Sequence, residues 1–191
     1  LSGLIMEPDP RNSAPAIAAA ALVAAKRNDD ALLLVTPADH LIREASLFTQ
    51  LVDNACDAAR EGSIVTFGIN PTRPETGYGY IRSGTPLGLG GAFEVAAFVE
   101  KPDTATARTY LATGSYLWNS GMFLFRARDL LDELRRWRPE MLEAVEEAVT
   151  QGETSKIGDQ EALTLDRESF ARSPSDRHHY AVMDKTESTP V

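Results

Sequence analysis

Two kinds of apolar segment alternate in the first part of the chain, and this alternation constrains the fold more than any other feature. Residues 16–25 form an alanine-rich run with high helix propensity, and Pro15 stands in the first turn, where its missing N–H costs little. Residues 31–35 form a short unbroken apolar run followed by Pro37, typical of a strand buried on both faces. Buried strands of that kind belong to parallel sheets, so the pattern predicts an α/β fold.

The rest of the chain continues the alternation of helical and extended patterns. Apolar spacing and turn residues predict helices over 13–27, 41–60, 103–113, 129–137 and 139–149. Shorter apolar runs predict strands over 63–68, 80–82, 93–99, 121–125 and 180–183, whereas residues 151–176 are polar and give no clear pattern. We therefore expect one α/β domain with a mostly parallel sheet and helices on both faces.

Charge and composition exclude several classes of partner. The chain carries 19 Lys and Arg residues against 28 Asp and Glu, a formal charge of -9, so its field repels a nucleic-acid backbone. No apolar run approaches the roughly 20 residues that cross a bilayer, so no membrane is expected. The single Cys56 forms no internal disulfide. We expect a cytoplasmic protein that binds small molecules.

One candidate metal ligand follows the first buried strand. In open α/β sheets ligands bind beyond the carboxyl ends of the strands, and Asp39 lies at such an end. A carboxylate there suits Mg²⁺, which takes one or two protein carboxylates together with substrate phosphates. The same residue also suits the N-cap of a helix that begins at Leu41. The residues themselves leave both interpretations open.

Three further segments suit the binding of a sugar phosphate. The two glycines of Gly77-Tyr78-Gly79 let the backbone approach a ligand, or they form a turn that enters a strand. The carboxylate of Glu100 suits sugar hydroxyls and the ammonium of Lys101 suits a phosphate, or the two form a solvated surface pair. Asn119 offers an amide just before a strand, or it belongs to a turn beside a buried tryptophan.

The segment before the first helix suits a nucleotide. The first N–H groups of a helix lack partners within the helix and attract anions. Arg11 adds charge at this point. Asn12 and Ser13 stand where they either face a ligand or simply cap the helix.

Taken in order, these segments resemble the mannose-1-phosphate guanylyltransferase family, also called GDP-mannose pyrophosphorylases. The resemblance rests on Pro37-Ala38-Asp39-His40, Thr76-Gly77-Tyr78-Gly79-Tyr80, Glu100-Lys101-Pro102 and Trp118-Asn119-Ser120-Gly121, together with residues 7–17, 67–75 and 180–186. It covers nearly the whole chain. Ser13 stands where the family more often has threonine, which keeps the hydroxyl.

The resemblance implies a Rossmann-like nucleotidyltransferase domain that transfers GMP from GTP to mannose 1-phosphate. Asp39 would be a metal ligand for Mg²⁺ and Lys101 would bind the sugar's phosphate, which makes these two the catalytic residues. The residues Gly77, Tyr78, Gly79, Glu100 and Asn119 would bind mannose, and Arg11, Asn12 and Ser13 would lie near the nucleotide. We also expect a homo-oligomer.

The same resemblance implies that residues 1–191 are part of a larger nucleotidyltransferase domain. The family has a glycine-rich loop after its first strand and an acidic residue after its Tyr-Ala-Val-Met strand, and neither is in the sequence. We therefore expect these residues alone to be inactive. Two alternatives stay open: another sugar-1-phosphate nucleotidyltransferase, and a sugar-nucleotide-binding regulatory module without catalysis.

Overall fold

The computed structural model describes residues 3–87 and 91–175, and these form two compact units. Residues 3–31 and 126–175 make up the first unit, and residues 32–87 and 91–125 make up the second. In chain order the elements are β1 (Leu4–Met6), α1 (Ser13–Ala25), β2 (Leu32–Val35), α2 (Ala45–Arg60), β3 (Val65–Ile69), β4 (Tyr80–Pro86), β5 (Phe93–Val99), α3 (Thr104–Thr113), β6 (Tyr116–Arg126), α4 (Ala127–Trp137), α5 (Pro139–Thr150), β7 (Glu153–Ile157), β8 (Gln160–Thr164) and α6 (Arg167–Ala171).

The first unit packs helices beside a small sheet. Helix α1 packs against α4 and α5, and α5 packs against α6. Ala18, Ala19 and Ala21 of α1 are completely buried, so their small side chains let the helices approach closely. The sheet has the order β1-β8-β7, in which β1 runs parallel to β8 and β7 runs antiparallel to it. Strands β7 and β8 and helix α6 occupy the polar stretch in which the sequence indicated no elements.

The second unit contains a five-stranded sheet, and here the prediction of a mostly parallel sheet is wrong. The strand order is β2-β6-β4-β5, and β3 also pairs with β6. The pairs β3 with β6, β4 with β5 and β4 with β6 are all antiparallel. For β4 and β5 the physical reason is the short segment between Pro86 and Phe93, because a parallel crossover needs a dozen or more residues whereas a hairpin needs only a few.

Two boundaries in this unit differ from the prediction and affect the site. Helix α2 begins at Ala45 with Glu44 as its N-cap, rather than at Leu41. Asp39 therefore does not cap this helix. Strand β6 begins at Tyr116 rather than Gly121, so Asn119 lies inside a strand and not before one.

Strand β2 is also less buried than its sequence indicated. It lies at one end of the strand order, and the side chain of Leu34 is 40% exposed. An unbroken apolar run therefore does not require burial on both faces. The predicted strand over 180–183, together with residues 184–186, lies outside the described residues.

No helix in the described ranges is both long and apolar enough to cross a bilayer.

Helix α3 has a defined cap at each end. The Asp103 carboxylate accepts a hydrogen bond of 2.8 Å from the Thr106 N–H, and Gly114 ends the helix in the left-handed conformation at φ 67°. The same hydrogen bond lowers the pKa of Asp103 below its usual value of 3.8.

Removal of this cap is expected to destabilise the domain in a pH-dependent way. Because the folded state lowers the pKa of Asp103, its contribution is present above the unfolded pKa and is lost as the pH falls through the folded value. Asp103→Ala should lower Tm by about 2 °C at neutral pH, and the difference should shrink below about pH 4. Thermal denaturation of the variant and of Asp53→Ala, an exposed aspartate on α2, tests this. An equal loss in both variants, or one that does not change with pH, would contradict it.

Candidate functional site

Strand register brings three of the predicted sugar-binding residues into one row of the second unit's sheet. Tyr80 pairs with Val99 on β5 and with Trp118 on β6. Because both pairings are antiparallel, the next row consists of Gly79, Glu100 and Asn119. We call these three residues the 79–100–119 row.

Distances within the row agree with the register. The Asn119 N–H donates a 2.9 Å hydrogen bond to the Gly79 carbonyl. A Cβ atom added to Gly79 would lie 3.7 Å from Glu100 Oε2 and 3.7 Å from Asn119 Cβ. The absence of a side chain at Gly79 therefore leaves open the space that borders a carboxylate and an amide.

The amide of Asn119 is held in one orientation. Its Oδ1 accepts a 2.9 Å hydrogen bond from the Gly121 N–H. Since the oxygen is engaged with the backbone, the NH₂ group is the part of the side chain left to donate to a ligand. Gly121 itself has φ 70°, a conformation that favours glycine.

The loop that carries Asp39 contacts β6 near this row. A Cβ atom added to Gly121 would lie 3.7 Å from Pro37 Cγ, two residues before Asp39. Asp39 is exposed, and its carboxylate has no hydrogen bond or ion pair with another residue of the described ranges. Lys101 is also exposed, directly after Glu100.

An aromatic pair lies beside the row. The ring of Tyr78 meets that of Trp118 edge-on, with centroids 5.3 Å apart, and the Arg73 guanidinium lies 5.6 Å from the Trp118 ring centroid. Trp118 is buried, and in the described part of the chain its indole Nε1 has no hydrogen-bond partner. The sequence indicated the buried tryptophan but not the arginine that lies over it.

The sequence pattern indicated no role for Glu75, which makes several contacts at this point. Its backbone N–H and C=O both bond to the hydroxyl of the buried Tyr80, and its carboxylate bonds to Arg73 and to the Gly77 N–H. The backbone bond from Gly77, and then the bond from Arg73, lower the pKa of Glu75. A carboxylate two residues before a glycine was the sequence signal that could have identified this contact.

The predicted nucleotide residues lie in the first unit, at the start of α1. Asn12 makes no side-chain cap and instead donates to Ser175 Oγ at 2.7 Å, while Arg11 donates to the Ser173 carbonyl at 3.2 Å. Asn12 has φ 61°, and no other residue that is not glycine has positive φ in the described ranges. The interpretation of Asn12 as a simple helix cap is therefore wrong.

A cavity of 370 Å³ borders Gly68 and Leu117 in the second unit, between α2, β3 and residues 91–93. Gly68 pairs with Asn119 in the sheet. None of the predicted site residues lines this cavity. Across residues 3–87 and 91–175, no three His, Cys, Asp or Glu side chains group together as a metal site.

Comparison with a family model and with known proteins indicates the family to which the chain is similar. The nucleotidyl transferase family model matches residues 2–162. The chain is 51% identical over its full length to a Xanthomonas campestris protein named xanthan biosynthesis protein XanB, covering 39% of it. It is 48% identical over 98% of its length to an Escherichia coli K12 protein named mannose-1-phosphate guanylyltransferase, covering 40% of that protein. The chain thus spans about two fifths of the length of these relatives.

A solved structure matches the whole fold as well. The crystal structure of a Helicobacter pylori protein named mannose-6-phosphate isomerase superposes with a TM-score of 0.86 at 32% identity. The match covers 98% of this chain and 70% of that one. Together with the family model, this similarity shows that the chain belongs to the nucleotidyl transferase family.

Proposed function

We propose that the full-length protein containing this chain transfers GMP from GTP to mannose 1-phosphate, which yields GDP-mannose and pyrophosphate. The observation that carries the proposal is the 79–100–119 row, which joins a backbone without a side chain, a carboxylate and an oriented amide. The identity of 48% to a protein named mannose-1-phosphate guanylyltransferase supports the choice of nucleotide and sugar.

In this reaction a phosphate oxygen of mannose 1-phosphate attacks the α-phosphorus of GTP. One P–O bond forms and the bond to the pyrophosphate leaving group breaks, so the two products contain all atoms of the two substrates. The protein needs no covalent nucleophile, because positioning and charge neutralisation supply the rate. A site that combines a closely approaching backbone with a few placed charges suits this chemistry.

Each residue that we propose binds the sugar phosphate then has a role that its chemistry supports. Glu100 accepts hydrogen bonds from mannose hydroxyls, and the NH₂ group of Asn119 donates to one. The sugar packs against the backbone of Gly77 and Gly79 and against the ring of Tyr78, which is 45% exposed. The ammonium of Lys101 binds the sugar's phosphate as a point charge.

Nucleotidyltransferases of this family generally use a divalent metal ion, and we propose that Asp39 holds Mg²⁺. An exposed carboxylate with no partner among the residues that the structure describes fits a hard ion that takes most of its other ligands from phosphates and water. When bound, the ion offsets negative charge on the reacting phosphates.

Arg11, Asn12 and Ser13 are proposed to bind the guanine nucleotide. Asn12 makes no side-chain cap at the start of α1, where the helix N-terminus favours an anion, and Arg11 adds positive charge there. The unusual backbone of Asn12 supports a functional role, because strained conformations concentrate at ligand sites.

The same proposal takes the protein to be a cytoplasmic homo-oligomer. The single cysteine of residues 1–191, Cys56, fits a reducing compartment. Exposed apolar side chains fit a subunit contact, with Leu41 82%, Leu47 49% and Leu51 46% exposed.

The test is a pyrophosphate-release assay on the full-length gene product. With mannose 1-phosphate, GTP should be used about tenfold or more faster than ATP, UTP or dTTP. Preference for another nucleotide would favour a different sugar-1-phosphate nucleotidyltransferase. Binding of GDP-mannose without turnover would favour a regulatory module. Because one relative is named an isomerase, conversion of mannose 6-phosphate is measured alongside, and that activity without nucleotidyl transfer would refute the proposal.

A further inference from the structure

The backbone of Glu75 is held by hydrogen bonds to Tyr80, the most deeply buried tyrosine near the site. Tyr80 has no exposed surface, and its hydroxyl donates to the Glu75 carbonyl at 2.8 Å and accepts from the Glu75 N–H at 3.0 Å. Tyr80 is the first residue of β4, so these two bonds tie a loop residue to the sheet. The backbone of Glu75 therefore has a defined position although it lies outside any helix or strand.

The side chain of Glu75 connects two parts of the same loop. Oε1 accepts a 3.1 Å hydrogen bond from the Gly77 N–H. Oε2 accepts from Arg73 Nε at 3.2 Å and lies 3.1 Å from Arg73 Nη2. Each carboxylate oxygen thus has its own partner, one on either side of Glu75 in sequence.

The two ends of the loop formed by residues 73–78 contact the same tryptophan. Arg73 lies over the ring of Trp118, and Tyr78 meets the same ring edge-on. Trp118 directly precedes Asn119 on β6. Contacts that fix residues 73–78 therefore also determine where Gly79 enters the 79–100–119 row.

We propose that Glu75 is a positioning residue, which holds the Gly77–Gly79 backbone in the conformation that receives the sugar phosphate. This inference rests on the proposed function for the identity of the ligand. Glu75 acts through the Gly77 N–H rather than on the substrate, because its carboxylate is occupied by Gly77 and Arg73. Its loss should therefore weaken sugar-phosphate binding more than it slows the chemical step.

Two variants of the full-length protein distinguish the contact of Glu75 with the Gly77 N–H from its contact with Arg73. Glu75→Ala removes both, whereas Glu75→Gln keeps side-chain length and a carbonyl oxygen that can accept the Gly77 N–H. Glu75→Ala should raise KM for mannose 1-phosphate about tenfold, with kcat and the KM for GTP nearly unchanged. Glu75→Gln should keep the KM for mannose 1-phosphate close to the wild-type value. Glu94 is an exposed glutamate on β5, and Glu94→Ala should change neither KM nor kcat.

Hydrogen exchange gives a second readout that does not depend on turnover. The peptide containing Gly77 should exchange faster in Glu75→Ala than in the wild type, and Glu75→Gln should retain most of its protection. Unchanged exchange and unchanged KM in Glu75→Ala would overturn the proposal, as would equal loss of affinity for both substrates. A wild-type protein that forms no nucleotide sugar refutes the proposed function, and the exchange result then still decides whether Glu75 anchors the loop.

Discussion

Asp39→Asn in the full-length protein is expected to lower kcat for GDP-mannose formation by about 10²–10³-fold. The substitution keeps the size of the side chain and removes the charge that we propose holds the metal ion. Because Asp39 is exposed and unpaired among the described residues, the fold should not depend on it. Steady-state kinetics over a range of Mg²⁺ concentrations measures the effect, and unchanged thermal denaturation shows that the variant is folded.

Glu44→Gln is the matched control, because Glu44 is an exposed acid between the same loop and α2 and its side chain makes no cap bond. It should leave both kcat and the Mg²⁺ dependence as in the wild type. Equal kcat for Asp39→Asn and the wild type would show that the metal site lies elsewhere. Equal loss in both variants would show that the reaction responds to charge in general and not to one ligand.

Gly79→Ala is expected to reduce kcat/KM for mannose 1-phosphate by about 10²-fold while the protein stays folded. The new Cβ would meet the Val99 carbonyl, Glu100 Oε2 and Asn119 Cβ at 3.5–3.7 Å, which are ordinary contacts. The methyl group therefore fits the protein but occupies the space next to the two groups that we propose bind the sugar. The loss should appear in the constants for the sugar phosphate and not in the KM for GTP.

Gly3→Ala serves as the control for this variant, because its Cβ would also make one tolerable contact, 3.4 Å from the Glu161 carbonyl, in the other unit. Gly3→Ala should match the wild type in both its steady-state kinetics and its Tm. Normal kinetics of Gly79→Ala would contradict the assignment of the 79–100–119 row as the sugar site. A large fall in Tm would mean that the glycine serves packing instead.

The positions of the helices and strands of the second unit followed from local pattern, but the direction of the strands did not, and β1, β7, β8 and α6 of the first unit were not predicted. Residues 93–99 form the strand that their apolar run predicted, because a short segment bounded by glycine and proline has few alternatives. Apolar runs carry no information about whether a neighbouring strand is parallel. The short glycine-rich connection before Phe93 was the better signal, since it permits only a hairpin.

This difference matters for the site. Gly79 precedes β4 and Glu100 follows β5. If these two strands were parallel, the two residues would lie at opposite ends of the strands. The antiparallel pairing of Tyr80 with Val99 is what brings the two residues together. The chemistry of the candidate residues could thus be read from the sequence, whereas their proximity required the register.

Glu75 illustrates what residue type alone does not reveal. A glutamate in a proline-rich, charged loop is typical of a solvated surface, and only the hydroxyl of Tyr80 and the N–H of Gly77 distinguish it. The same holds for Asn12, whose side chain bonds to Ser175, a residue far away in sequence. The role of Asn12 depends on a contact between distant parts of the chain, which a local pattern does not contain. The partners of Glu75 lie within five residues of it, and there the sequence lacks only the geometry that joins them.

The most direct test of the account is a crystal structure of the full-length protein with GDP-mannose and Mn²⁺, in which anomalous scattering locates the metal. We predict mannose hydroxyls within hydrogen-bond distance of Glu100 and Asn119, the sugar against the backbone of Gly79, and the metal on the carboxylate of Asp39. Mannose bound away from these three residues of the sheet, or a metal ion with no contact to Asp39, would contradict it.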